Sequence, residues 1–205
     1  MLAQVVRSRL PVENVVVLGL PRGGVPVGAE IAKALGASLD VFLVRKLGVP
    51  GHEELAFGAV ASGGTRVLNE ELVDQFGLNS DLIAAVSARE HAELQRRELA
   101  YRESRKPVEL RGATAVVVDD GLATGATMRV ALLALRKLGP MRLMVAVPVG
   151  SRTAYEYLKE HADEIVCPAT PQEFHSVGEW YRDFRQVSDD EVCTLLKLAE
   201  VMGSV

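Results

Sequence analysis

Val116-Val117-Val118-Asp119-Asp120-Gly121-Leu122-Ala123-Thr124-Gly125-Ala126-Thr127 reads as a buried strand that ends in two carboxylates and turns, through small and hydroxyl-bearing residues, into a helix N-terminus. Gly125 lets backbone come close to a ligand, and the hydroxyls of Thr124 and Thr127 can donate. The first-turn amides and the helix dipole favour an anion, so Ala123 to Thr127 forms a phosphate cup. Asp119 and Asp120 would repel that phosphate. They must therefore face something else, either sugar hydroxyls or a divalent cation. A ligand with a phosphate at one end and a vicinal diol near it suits both halves of the stretch.

The same wording also describes a Walker B strand, and an acidic residue after a strand can be no more than a turn or helix cap. A Walker B strand needs a Walker A partner. The nearest candidate, Gly19 to Gly24, is followed by Val25-Pro26 where Lys-Ser or Lys-Thr should stand, so that alternative fails. No GxGxxG, HExxH or GxSxG occurs.

In its apolar strand, acidic pair and Thr/Gly loop, the segment resembles the type I phosphoribosyltransferases. The resemblance implies that Asp119 and Asp120 hold the ribose hydroxyls of phosphoribosyl pyrophosphate (PRPP), with Mg²⁺ held through the ligand, and that Ala123, Thr124, Gly125, Ala126 and Thr127 surround its 5-phosphate. It implies a transferase of nucleotide metabolism. Ala123 departs from members that act on 6-oxopurines, which commonly place an acidic base there, and looks more like the adenine type.

Upstream, Val15 to Leu18 is a second β-branched run, followed by Leu20-Pro21-Arg22-Gly23-Gly24 and a helix from about Val25 to Leu35 stopped by Gly36. This turn offers amides and the Arg22 charge to an anion, although Gly23-Gly24 equally describes a tight strand-to-helix turn. The resemblance makes it the pyrophosphate loop, where the family often has a non-proline cis peptide. Leu39 to Val44 predicts a strand ending at Arg45-Lys46, and Leu47 to Phe57 predicts a long loop of the kind that closes over active sites. By resemblance this is the flexible catalytic loop, with Lys46 reaching pyrophosphate and Arg45 among the substrate-binding residues; by composition it is a surface loop with two solvated cations. Its ionisable members are His52, Glu53 and Glu54. Phe57 to Ala61 and Arg66 to Leu68 flank Gly63-Gly64 as a hairpin.

From Asn69 to about Tyr101 the pattern is helical and charged. Glu93 with Arg97 and Glu98 with Arg102 have the spacing of an exposed, solvated helix, or of a dimer surface. Further strand-helix units follow at 114–118 with 127–138 and 143–149 with 153–161, then a strand at 164–167 and a last helix from about Asp189 to Met202. The expected fold is therefore α/β: a mostly parallel twisted sheet flanked by helices, one domain over 1–205, with a helical insertion (69–106) and a small C-terminal hood (168–187). Phe174, Trp180 and Tyr181 of the hood are placed to stack on an acceptor ring, or simply to pack.

The 205 residues are 48% hydrophobic and 24% charged, which excludes disorder and a disulfide-stapled miniprotein. No apolar run approaches the roughly 20 residues of a membrane span. A net charge of -4 provides no field for gripping nucleic acid, yet leaves room for local cations around a small polyanion. Cys167 and Cys193 read as reduced thiols, and the N-terminus lacks the pattern of a signal peptide, so a cytoplasmic protein is expected. The expected chemistry is Mg²⁺-dependent displacement of pyrophosphate from PRPP by an unidentified acceptor, without a nucleophilic triad, in a protein that can self-associate. The competing readings are a PRPP-binding sensor that does not react and a different nucleotide-binding α/β protein.

Overall fold

The structure is a computed structural model that describes residues 1–10, 14–103 and 106–203. Five parallel strands form the main sheet: β1 (Val15–Gly19), β2 (Ser38–Val41), β6 (Thr114–Val118), β7 (Arg142–Ala146) and β8 (Glu164–Val166), in the order β2-β1-β6-β7-β8. Their side chains alternate between two apolar layers. Val17, Val116, Val118 and Met144 face α2 (Gly24–Leu35) and α7 (Asp189–Gly203), while Val16, Leu18, Ala115, Val117 and Val145 face α5 (Ala126–Lys137) and α6 (Arg152–Leu158). Burial on both faces is why the central strands β1 and β6 read as near-continuous apolar runs rather than alternating ones. A short α1 (Leu2–Arg9) packs on α2.

The chain leaves β1 toward β2 on one side, and the sheet continues on the other side through β6, so the strand order reverses between β1 and β6. Ligands of open α/β sheets bind in the crevice at such a point, beyond the carboxyl ends of the strands. The β1–β6 register ends with Gly19 opposite Val118, which sets the turn after β1 beside the Asp119-Asp120 pair.

Two expectations are corrected. The strand read over 39–44 is two strands in different sheets: β2 ends at Val41, and after Phe42-Leu43 the chain enters β3 (Val44–Val49). The long loop expected at Leu47–Phe57 is instead a β-hairpin. β3 pairs antiparallel with β4 (His52–Ala61) around Pro50-Gly51, with β5 (Thr65–Leu68) on β4's other edge. Its irregular register at Leu47–Val49 blurs the period-two pattern on which strand recognition depends. The hairpin expected between 57–61 and 66–68 forms as β4 and β5.

The charged stretch divides into α3 (Glu70–Gln75) and α4 (Ser80–Arg102), because Asn79 starts a new helix by accepting the Leu82 amide at 2.9 Å. α4 packs on β3, β4 and α7, so it is not a solvated helix throughout. Glu98–Arg102 does form at 2.9 Å, but Arg102 is buried, donating to Asp40 at 2.9 Å and to the Val41 carbonyl at 2.8 Å. No helix among the described residues is long and apolar enough to cross a membrane.

Candidate active site

The two signature turns form one site. Leu20 donates its amide to the Val118 carbonyl at 2.8 Å, and the Pro21–Arg22 peptide that follows is cis. The backbone of the β1 turn then runs so close to the acid pair that only glycine fits. A Cβ on Gly23 would lie 1.9 Å from Asp120 Oδ2, and one on Gly24 would lie 2.3 Å from the Val118 carbonyl and 2.9 Å from Asp119 Cα. Gly23-Gly24 is therefore more than a tight turn. It is the space into which the Asp120 carboxylate fits.

Asp119 and Asp120 sit where β6 leaves the sheet. Burial, reinforced by the neighbouring Asp120 charge, pushes the Asp119 carboxyl up to about 7, against a smaller opposing effect of the Asp120 amide, which donates to Asp119 Oδ1 at 2.9 Å. Burial also raises Asp120. Two adjacent carboxylates with no cation paired to them among the described residues form a place that gains from hydrogen-bond donors or a cation.

Beyond them the loop is braced from below and open above. Leu122 is buried, its amide donates to Val149 at 3.0 Å, and Ser151 bonds back through its amide to Leu122 (2.8 Å) and its hydroxyl to Ala123 (2.7 Å). Gly125 adopts φ +75° at the N-cap of α5, packed over Leu158. The Ala126 amide is weakly held by Thr124 Oγ1 at 3.3 Å, whereas the amides of Ala123, Thr124, Gly125, Thr127 and Met128 have no acceptor among the described residues. Ala123, Thr124 and Thr127 are exposed. The orphan donors of a helix start thus lie on a loop whose Ala123, Thr124 and Thr127 are open to solvent, as an anion site requires.

The hood closes on the acid turn from the other side. Val177 covers Gly121, and the Tyr181 hydroxyl donates to the Asp120 carbonyl at 2.7 Å. Burial, then the two aspartates, push the Tyr181 phenol up to about 12, so it remains a donor. Tyr181 and Phe184, with ring centroids 5.2 Å apart, line a cleft of about 920 Å³ together with Arg22, Gly23, Pro26 and Asp120. Of the aromatics singled out from sequence, Tyr181 reaches this cleft, while Phe174 and the half-exposed Trp180 do not line it. Phe184 takes their place. Its signal was the aromatic cluster itself; which members face inward depends on the path of a nearly irregular segment.

Arg22 also lines a second cleft of about 420 Å³, with Arg45, Arg96, Arg97, Tyr101 and Asp189. Arg45 is brought to the site, anchored by Glu90 at 2.6 Å. Lys46 is not: neighbouring residues of a strand point to opposite faces, and Lys46 is exposed and lines none of the described clefts. His52 lies against Phe76 at 6.0 Å, and the side chains of Glu53 and Glu54 fall outside the described residues. Arg96 and Arg97 were missed, because the Glu93–Arg97 spacing describes a solvated helix face equally well.

Comparison with known proteins supports the geometry. The sequence profile of the phosphoribosyl transferase domain matches residues 51–183. Two Mycobacterium tuberculosis proteins, from strains CDC 1551 / Oshkosh and H37Rv, both provisionally named phosphoribosyl transferases, are each 48% identical over 192 residues, covering 94% of this chain and 43% of their own length. The chain thus spans less than half the length of these curated relatives. The bifunctional protein PyrR of Chloroflexus aurantiacus is 34% identical over 129 residues, covering 62% of this chain and 65% of that protein. The crystal structure of TT1426 from Thermus thermophilus superposes with a TM-score of 0.85 at 44% identity, covering 95% of this chain and 92% of that one. With the acid pair, the phosphate cup and the glycine turn gathered at one switch point of a parallel sheet, this chain belongs to the phosphoribosyl transferase domain family, with the type I fold.

Proposed function

We propose that this protein transfers the 5-phosphoribosyl group of PRPP to an acceptor, releasing pyrophosphate. The observation that carries this reading is the seating of the Asp120 carboxylate against Gly23, which joins an acidic, diol-accepting pair to two anion-accepting turns in one crevice. Asp119 and Asp120 accept the ribose hydroxyls, and the Ala123–Thr127 loop holds the 5-phosphate through amides and hydroxyls. Arg22 and the Gly23 amide face the pyrophosphate, whereas the Gly24 amide is engaged by the Leu20 carbonyl at 3.0 Å. In the reaction the bond from the anomeric carbon to pyrophosphate oxygen breaks, the acceptor nucleophile bonds to that carbon and its proton leaves. The electron pair goes to pyrophosphate. The charged carboxylates favour the positive charge that develops on the sugar, and the hood limits water.

The residues suit a Mg²⁺ ion held partly by its ligand. No group of three or more metal-ligating side chains converges among the described residues, so Asp119 and Asp120 would bind it alongside water and ligand oxygens, as this cation commonly is bound. When bound, it would neutralise charge on the leaving group. The cleft beneath Tyr181 and Phe184 is the acceptor side of this reading, and its two rings favour a planar acceptor.

The test is pyrophosphate release from PRPP with Mg²⁺ across a panel of bases, amines and phenols, with Asp119→Asn/Asp120→Asn as the inactive control. Release with one acceptor, lost in the control, is expected. Saturable PRPP binding with no release from any acceptor would instead favour a sensor, and stabilisation by ATP exceeding that by PRPP would overturn both.

A further inference from the structure

We propose that Arg96 and Arg97, on the helix inserted between the two halves of the fold, form with Arg22 and Arg45 a clamp for the pyrophosphate end of the ligand. This rests on the phosphoribosyl reading above and adds residues that the signature turns do not contain. Four arginines line one cleft of about 420 Å³, and among the described residues that line it Asp189 alone carries a carboxylate. They come from three separated parts of the chain: Arg22 from the turn after β1, Arg45 from β3, and Arg96 and Arg97 from α4. Local helix chemistry does not explain that convergence.

The arginines are held in place from behind. Glu93 accepts from Arg96 at 2.7 and 3.0 Å and from Arg97 at 2.8 Å, and those two arginines hold its carboxyl down at about 2. Glu90 holds Arg45. Both Arg96 and Arg97 still keep much of their side chains open, at 68% and 47% exposure, so their remaining donors are available. Guanidinium forks match phosphate oxygens in a bidentate manner and are weakly hydrated, which suits them to a diphosphate.

Arg22 lines both this cleft and the one containing Asp120, so a ligand with its ribose on the acid pair reaches the arginines simply by extending past Arg22. Asp189 already occupies that path. It accepts from the Tyr101 hydroxyl at 2.6 Å and lies 3.9 Å from Arg22, where an incoming phosphate would compete with it. Its removal should therefore strengthen anion binding, the opposite of what loss of the arginines does.

The experiment is calorimetry on the intact chain with inorganic pyrophosphate, PRPP and ribose 5-phosphate. Arg96→Gln/Arg97→Gln should weaken pyrophosphate and PRPP about tenfold or more while leaving ribose 5-phosphate within about twofold. Asp189→Asn, which keeps an acceptor for Tyr101, should tighten pyrophosphate about threefold. Unchanged pyrophosphate affinity in the double variant, equal loss of all three ligands, or no tightening in Asp189→Asn would overturn the clamp. If pyrophosphate binds in an arginine-dependent manner but PRPP does not bind the parent protein, the clamp stands and the transferase reading falls.

Discussion

Asp119 should make ligand binding depend on pH near neutrality. Its carboxyl, pushed up to about 7, is half protonated in the free protein there, whereas acceptance of two sugar hydroxyls or of a cation requires the charged form. If only that form binds, apparent affinity falls by the factor 1 + 10^(7 − pH), which is about 11 at pH 6 and about 1.1 at pH 8. The expected loss between those values is about tenfold, or about 1.4 kcal/mol. PRPP carries phosphates that titrate with a second pKa of about 6. Titration calorimetry from pH 6 to 8 must therefore compare the parent with Asp119→Asn, which binds more weakly but should lose the tenfold component. Proton release of about half an equivalent at pH 7, measured in two buffers of different ionisation enthalpy, should vanish with it. Stability gives a second readout of the same group. A folded-state value raised from 3.8 to about 7 means that its contribution to stability is fully present below pH 4 and lost as pH rises through 7. Asp119→Asn should then match the parent at pH 4 and exceed it at pH 8, by at most about 4 kcal/mol. Identical pH slopes for parent and variant in binding, or no pH-dependent gain in stability, would refute the argument.

Gly23→Ala should abolish PRPP binding in calorimetry while leaving the far-ultraviolet spectrum intact, because its methyl must displace the Asp120 carboxylate from 1.9 Å. Arg102→Met strands the buried Asp40 charge and should cost about 3 to 5 kcal/mol in denaturant titration, with most of it recovered when Asp40→Asn is added. Tyr181→Phe removes the bond to the Asp120 carbonyl and should cost about 1 kcal/mol of stability. In steady-state assays its main effect should be a higher acceptor KM, with PRPP affinity nearly preserved.

Much of the site could be read locally. Strand, acid pair and phosphate cup occupy consecutive positions, and the glycine turn follows its own strand directly, so chain continuity assembles each of these two segments within itself. The arm at Leu47–Phe57 could not be read that way, because an irregular antiparallel register and the Pro50-Gly51 turn give the composition of a loop. Nor could the two fates of α4, since its Glu–Arg spacings are the same whether the helix faces water or, as at Arg102, a buried aspartate.

By itself, then, the sequence determined the alternation of buried strands and helices and the chemistry of each turn, properties set by neighbours in the chain and by the period of its apolar residues. Tertiary structure decided which turns meet. The pairing of Gly19 with Val118 places Gly23 against Asp120 across about a hundred residues, the alternation of β3 turns Arg45 inward and Lys46 outward, and the packing of α4 on β3 brings Arg96 and Arg97 to Arg22. Those encounters follow from strand order and sheet register, which long-range packing selects and local spacing does not encode.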